Sequence, residues 1–429
     1  MSEKTVTISP AEGVRGLVQI PGDKSISHRY AMLAGIAAGM SRFHNFSAAQ
    51  DCANTLRCMA ALGAPWRRGD DGAIEVTGRG PILQAPAGAL DCGNSGSTMR
   101  MLSGIVAGQK FETELFGDES LSRRPMARII RPLAKMGAAI DASSGERPPL
   151  RIHGTALSAI SYKPDVPSAQ VKTCVLFAGL FADGETVVEE TIRTRDHGEL
   201  ALSAFGAELE RQGHRVSIRG GQPLSGIEAH VPGDLSSAAF FLCAAAIFPG
   251  SHVALPGILM NPTRARLLDI LIGMGLKVSV AQIEQHHGEL VGAIEARGET
   301  WRGGEIAGSD AAALIDEIPV LAAIAPYSEN GLEVRDAREL RVKESDRIAA
   351  VAGNLRKMGA EVEERPDGFK IAGRQRLHGA ELDAFGDHRI AMAFAVAALR
   401  AEGETTIKGA EAAAVSYPSF FKDLKSITG

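Results

Sequence analysis

Ile20-Pro21-Gly22-Asp23-Lys24-Ser25 and, 211 residues further on, Val231-Pro232-Gly233-Asp234-Leu235-Ser236 are two writings of one turn. Each follows an apolar run of strand character and leads into an apolar run of helix character. Pro-Gly-Asp breaks a strand and turns the chain, and an Asp or Ser just ahead of a helix caps its first turn. The echo divides the chain into two related halves, with hinges near Pro21-Gly22 and Pro232-Gly233. Residues 22–232 form one domain; residues 1–21 plus 233–429 form the other. No low-complexity tether separates them, so short joints are expected.

A shorter period runs inside the halves. Helix-like stretches end in glycine and run on into strand at Gly63, Gly137, Gly206, Gly275 and Gly359, and a sixth stops at Gly429. The intervals are 74, 69, 69, 84 and 70 residues. A glycine just past a helix supplies the left-handed residue that ends it. Six occurrences at near-constant spacing predict six copies of one α/β unit, three per half.

The 429 residues are 45% hydrophobic and 23% charged, with a net charge of −5. Net acidity argues against a nucleic-acid partner, which calls for a basic surface, so any anion site must be a local gathering of Lys and Arg. Cys52, Cys58, Cys92, Cys174 and Cys243 are scattered with no CxxC pair, which fits reduced thiols. The N-terminus has no apolar signal core, and the longest apolar run, Ala238–Phe248, is too short for a bilayer. A cytoplasmic protein without a membrane partner is expected.

Dense polar clusters stand ahead of apolar helices in both halves. At the first turn Lys24 adds a full charge to the free N–H groups of a helix start, which favours an anion, and Arg29 lies one turn beyond Ser25 on the same face. The second copy keeps the turn but has Leu235 in place of Lys24, separating scaffold from function. Asn94 and Gly96 sit in a run of small residues, Gly93–Ser97, that lets backbone approach a ligand, with Arg100 a turn later. Arg124 stands in Ser122-Arg123-Arg124-Pro125, with Pro125 expected at the first helical position. Ser168, Ala169 and Gln170 open a further helix, and Arg195-Asp196-His197 another. The second half adds acids: Asp316 and Glu317 before Pro319, Lys343-Glu344 with Asp346 and Arg347, and Asp387-His388-Arg389. Cations alone suffice to bind phosphate or carboxylate, so acids inside the cationic field point to proton transfer. His286-His287 lacks further ligands at metal spacing, so no metal is expected.

The runs PGDKSISHR, GNSGSTMR, SRRPM, PSAQVK, IDEIP, RVKESDRI and GDHRIAM, in this order, resemble the 5-enolpyruvylshikimate-3-phosphate synthases, a family of enolpyruvyl transferases, over essentially the whole chain. The resemblance implies an α/β fold of two similar domains, each of three βαβαββ units in an inverted α/β barrel, which close over their ligands. It implies transfer of the enolpyruvyl group of phosphoenolpyruvate to the 5-hydroxyl of shikimate 3-phosphate, through a tetrahedral ketal that expels phosphate, in aromatic amino-acid biosynthesis. No cofactor is implied, and the protein is expected to be a monomer whose partners are small-molecule substrates.

Roles carry over by motif. Lys24 contacts both ligands and takes part in catalysis; Ser25, Arg29, Ser168, Ala169 and Arg195 bind shikimate 3-phosphate; Gln170 and Lys343 touch both. Asn94, Gly96, Arg124, Arg347, His388 and Arg389 line the phosphoenolpyruvate pocket. Asp316 takes the hydroxyl proton while binding shikimate 3-phosphate, and Glu344 gives a proton to C3 and later removes it. Family members with glycine at position 96 are generally inhibited by glyphosate, which implies sensitivity here. Many members carry a lysine before the C-terminal aromatic-Pro pair; here the run is AAAVSYPSFFKDL, with Lys408 and Lys422 on either side. The related UDP-N-acetylglucosamine enolpyruvyl transferases use a reactive cysteine in the first half, and the matching region, Lys110–Met126, has none. A non-catalytic anion-binding relative would be expected to have lost an acid or cation, yet Asp316, Glu344, Lys24 and Arg124 are all in place.

Overall fold

The computed structural model describes residues 5–428. Gly429, the sixth glycine of the repeat, and residues 1–4 lie outside the described residues. The chain divides into two compact units. One comprises residues 22–231 with the short piece 285–289. The other comprises the chain up to Pro21, Pro232–Glu284, and Leu290 onward.

The repeat is plainest in its second copy. Strand Leu90–Asp91, helix Gly96–Ala107, strand Glu112–Phe116, helix Ala127–Lys135 and strands Ala139–Ser143 and Arg147–His153 follow one another. The first two strands pair in parallel (Leu90 beside Leu115), and the last strand lies antiparallel between the second and third. The same spatial order, first-second-fourth-third, recurs in the sheets of 161–219 and 304–371. The first and fourth copies have exchanged their leading strands. Glu228–His230 lies parallel to Ala38–His44, and Arg15–Leu17 lies parallel to His252–Leu259. The two Pro-Gly-Asp turns follow these exchanged strands, which is why they echo one another. The sixth copy ends its sheet differently: Thr5–Ile8, from the start of the chain, lies antiparallel on Thr405–Lys408, with Glu381–Asp383 on the other side.

Each copy has one inner helix, apolar nearly all round as full burial requires. These are α1 (Lys24–Ile36), α2 (Gly96–Ala107), α3 (Ala169–Gly179), α4 (Leu235–Ala246), α5 (Ile318–Ile324) and α6 (His388–Ala398). All twelve residues of α4 are buried. In the first unit α2 packs on α1 and α3; in the second, α4, α5 and α6 pack on one another. The approach of α2 to α3 needs a glycine: a Cβ on Gly104 would stand 2.2 Å from the Cys174 carbonyl oxygen. The outer helix of each copy is amphipathic, as in 127–135, where only Ile129, Pro132 and Leu133 are buried. Gly63, Gly137, Gly206, Gly275 and Gly359, which follow outer helices, all have positive φ, between 89° and 112°. All five cysteines are free and buried. Among the described residues no helix is long and apolar enough to cross a membrane.

Candidate active site

In the first unit, the candidate residues gather at the starts of α1, α2 and α3. Asp23 caps α1, its Oδ1 accepting from the Ile26 N–H at 2.9 Å. Asp234 does the same for α4 through the Ser236 N–H, at 2.8 Å. The cap is therefore the Asp of the repeated turn and not Ser25. Lys24 Nζ reaches Asp51 Oδ2 at 3.1 Å and stays partly exposed. Arg29 is buried and ties α1 to α3. Its Nη2 and Nε donate to Thr173 Oγ1 at 2.9 and 3.3 Å, and its Nη1 donates to the Ser25 carbonyl at 2.8 Å. Burial lowers the Arg29 pKa to about 10; Glu199 and Asp23 oppose the shift, and neighbouring Arg195 adds to it.

At the start of α2, Ser95 caps the helix through the Thr98 N–H, at 3.0 Å. Asn94 is held at both ends of its amide: Oδ1 accepts from Arg124 Nη2 at 2.8 Å, and Nδ2 donates to Asp118 Oδ2 at 2.7 Å. Arg100 Nη1 donates to Gln170 Oε1 at 2.8 Å, and Gln170 Nε2 donates to Ser97 Oγ at 2.9 Å. Gly96 opens onto both arginines: a Cβ there would lie 2.9 Å from Arg100 Nη1 and 3.5 Å from Arg124 Nη1. Ser168 caps α3 by accepting from the Val171 N–H at 3.4 Å, which leaves its own O–H proton for an anion. One placement differs from expectation. Pro125 precedes Met126, the cap of the outer helix Ala127–Lys135, so it is not the first helical residue, and Arg124 instead follows the short helix Glu119–Ser122.

In the second unit, one buried guanidinium collects the acids. Arg347, at the start of the outer helix Arg347–Lys357, donates from Nε and Nη2 to the two carboxylate oxygens of Asp387, at 2.8 and 3.3 Å. Its Nη2 also donates to Glu344 Oε2 at 2.7 Å, and its Nη1 lies 3.5 Å from Asp316 Oδ1. Burial alone would lower the Arg347 pKa, but Asp387, Glu344 and Asp316 more than offset it and hold the group above its ordinary value. Asp387 is fully buried. Burial and Glu344 push its carboxyl up, and Arg347 and His388 outweigh them, so it sits below the usual range. Asp387 also caps α6 through the Arg389 N–H, at 2.8 Å.

Arg389 Nη1 donates to the Asp316 carbonyl at 3.0 Å and lies 3.7 Å from Glu317 Oε1. Glu317 in turn accepts from Ser236. Lys343 Nζ is 3.4 Å from Glu339 Oε1, and His388 is buried at the first position of α6. The second Pro-Gly-Asp turn is not without a cation: Arg264 Nη2 lies 3.2 Å from Asp234 Oδ1 and 2.5 Å from Ser236 Oγ. Lys408, at the end of strand 405–408, pairs with Glu381 on the neighbouring strand 381–383.

Several partners were not singled out from the sequence. Asp51, Asp118 and Arg264 come from elements far along the chain from the groups they hold. Asp387 was visible in the run Gly386-Asp387-His388-Arg389, but reading it as the counter-ion of Arg347 requires knowing that positions 40 apart meet.

A sixfold α/β repeat with cations and acids gathered at its helix starts defines a protein of the enolpyruvyl transferase type. The family model described as EPSP synthase (3-phosphoshikimate 1-carboxyvinyltransferase) matches residues 8–424. The chain is 60% identical to the 3-phosphoshikimate 1-carboxyvinyltransferase of Koribacter versatilis, over 99% of each chain. It is 55% identical to that of Solibacter usitatus, over 98% of this chain and 99% of the other. The solved structure of an EPSP synthase from Acinetobacter baumannii superimposes with a TM-score of 0.89 at 39% identity, covering 99% of this chain and 98% of that one. The chain belongs to the EPSP synthase family.

Proposed function

We propose that the protein transfers the enolpyruvyl group of phosphoenolpyruvate to the 5-hydroxyl of shikimate 3-phosphate and releases inorganic phosphate. The observation that carries this reading is the meeting of Asp316 and Glu344 on one buried guanidinium, Arg347. Two carboxylates beside a fixed cation can accept and return protons without leaving an uncompensated charge.

In the proposed sequence the 5-oxygen bonds to C2 of the enol as its proton passes to Asp316, and C3 gains a proton from Glu344. The tetrahedral ketal then loses phosphate by breaking its C2–O bond as Asp316 passes the hydroxyl proton to the departing phosphate oxygen, while C3 returns its proton to Glu344. Atoms and electrons balance without a redox step. Lys24, Asn94, Gly96, Arg124, Gln170, Lys343, Arg347, His388 and Arg389 are assigned to phosphoenolpyruvate. Lys24, Ser25, Arg29, Ser168, Ala169, Gln170, Arg195, Asp316 and Lys343 are assigned to shikimate 3-phosphate. The Arg100–Gln170–Ser97 and Arg124–Asn94–Asp118 hydrogen bonds support these roles, because they fix amides and guanidinium groups before a ligand arrives, which lowers the cost of ordering them on binding. We take the setting to be a cytoplasmic monomer.

The test mixes the protein with both substrates and follows phosphate. Release that needs both is expected; folded protein that releases none refutes the reading.

A further inference from the structure

Residues 277–297 form a two-stranded hairpin, Lys277–His286 and Glu289–Arg297, whose tip, residues 285–289, belongs to the first compact unit. Three features fasten the tip there. His287 Nε2 is 2.9 Å from the Glu228 carbonyl oxygen. Gly288 lies so close to Leu200 that a Cβ would stand 2.9 Å from Leu200 Cδ2. Glu289 Oε1 meets His197 Nδ1 at 2.6 Å, and both side chains are almost fully buried, 3% and 0% exposed. A buried carboxylate on a surface hairpin is costly, and the roles proposed above for α1, α2 and α3 do not account for it.

His197 opens the helix His197–Ala204 directly after Arg195-Asp196. The same short segment is gripped from its other side. Lys172, on α3, is buried between Glu190 at 2.8 Å and Glu199 at 2.7 Å. Glu190 accepts from the backbone N–H of Thr194 at 3.3 Å and also from its hydroxyl. Arg195 is thus bracketed by a residue anchored to Glu190 and a residue anchored to Glu289. The charges of Arg195, Glu199 and Glu289 all act on Arg29, and that of Glu289 also acts on Tyr30, which puts these groups in one neighbourhood.

We propose that the buried His197–Glu289 pair is a positioning device for the phosphate end of shikimate 3-phosphate: it fixes the segment carrying Arg195 beside Arg29, so that two guanidinium groups are ready for one dianion. The inference rests on the substrate reading above and goes further by naming two residues that touch neither ligand.

The test uses the full-length protein with kinetics in each substrate and equilibrium binding of shikimate 3-phosphate against shikimate. Glu289→Ala is expected to raise KM for shikimate 3-phosphate roughly tenfold, the effect of disturbing one charge-assisted contact, with a much smaller change in KM for phosphoenolpyruvate. The affinity advantage of shikimate 3-phosphate over shikimate should shrink by the same factor, a ratio that general destabilisation does not move. Glu289→Gln keeps a hydrogen-bond acceptor for His197 and should recover part of the loss. Should Glu289→Ala fail to fold, Glu289→Gln decides alone: a phosphate-specific rise of about threefold or more supports the inference, and a smaller one overturns it. Wild-type protein that turns over while Glu289→Ala keeps its KM for shikimate 3-phosphate, or raises both KM values equally, overturns this inference alone. Wild-type protein that releases no phosphate removes the substrate reading and this inference with it.

Discussion

Replacing Glu344 by Gln separates chemistry from scaffolding. Glu344 Oε2 accepts from Arg347 Nη2 at 2.7 Å, and a glutamine oxygen in the same place still accepts. Arg347 also keeps both contacts to Asp387, at 2.8 and 3.3 Å. What the substitution removes is a partly exposed carboxyl that can carry a proton, so the loss of stability should be at most about 1 kcal/mol, the difference between a charged and a neutral hydrogen bond. The proton shuttle is lost entirely. Positioned acid–base groups contribute roughly 10²–10⁴ in rate, which is about 3–5 kcal/mol of barrier at 1.36 kcal/mol per decade.

The two effects differ enough to be read separately. Phosphate release under single-turnover conditions should fall by that factor, while the urea midpoint moves little. Asp387→Asn is the contrast. It leaves a capping side chain in place but takes a buried, fully enclosed charge from the same guanidinium, and should cost roughly 3–5 kcal/mol of stability. If Glu344→Gln keeps turnover within about tenfold of wild type, or loses as much stability as Asp387→Asn, Glu344 is a counter-ion and not the proton carrier.

Two further outcomes follow from groups at the start of α1 and α2. His28 is buried with its Nδ1 2.7 Å from Thr55 Oγ1, and burial, then Lys24 and Arg29, hold its pKa well below the ordinary histidine value. The unfolded chain therefore binds a proton that the folded one refuses between the folded pKa and about 6.5. Stability is intact above that value and is lost as pH falls below it, by at most about 1.4 kcal/mol per pH unit. In urea titrations His28→Gln should flatten the slope below about pH 6.5; an unchanged slope would assign the acid sensitivity elsewhere. Gly96→Ala puts a methyl group 2.9 Å from Arg100 Nη1 and 3.5 Å from Arg124 Nη1 on helical backbone that accepts it. The fold should survive. The displaced guanidinium groups should raise KM for phosphoenolpyruvate roughly tenfold or more and weaken inhibition by glyphosate. Unchanged values of both would remove Gly96 from the pocket.

The repeat was legible because its punctuation is chemical. A glycine closes the first five outer helices, and an Asp caps α1 and α4, so the same letters return wherever the same backbone does. The helix starts were legible for a related reason: Lys24, Arg124, Glu344 and Arg389 stand in polar clusters that core packing does not call for. What stayed hidden are pairings set by distant closure. Nothing in Glu228-Ala229-His230 says that it will lie beside Ala38–His44 in place of the strand that precedes α1. Nothing in Glu289, one acid in a hairpin of ordinary alternation, announces a buried histidine 92 residues earlier. Arg347 reads in sequence as a ligand for an anion, yet in the fold three of the protein's own carboxylates already attend it.

The exchanged strands also set an order of events during synthesis. Residues 22–231 contain every strand their four-stranded sheets need, so these sheets can form as the stretch leaves the ribosome, with the hairpin tip 285–289 still to be added. The segment before it cannot. Arg15–Leu17 waits for His252–Leu259, and Thr5–Ile8 waits for Thr405–Lys408, the last strand among the described residues. At typical elongation rates the first strand spends roughly 20–80 s without its partner. Thr5–Ile8 is thus held open until Thr405–Lys408 arrives. Deleting it should leave the earlier-made unit folded while depriving the later one of two edge strands.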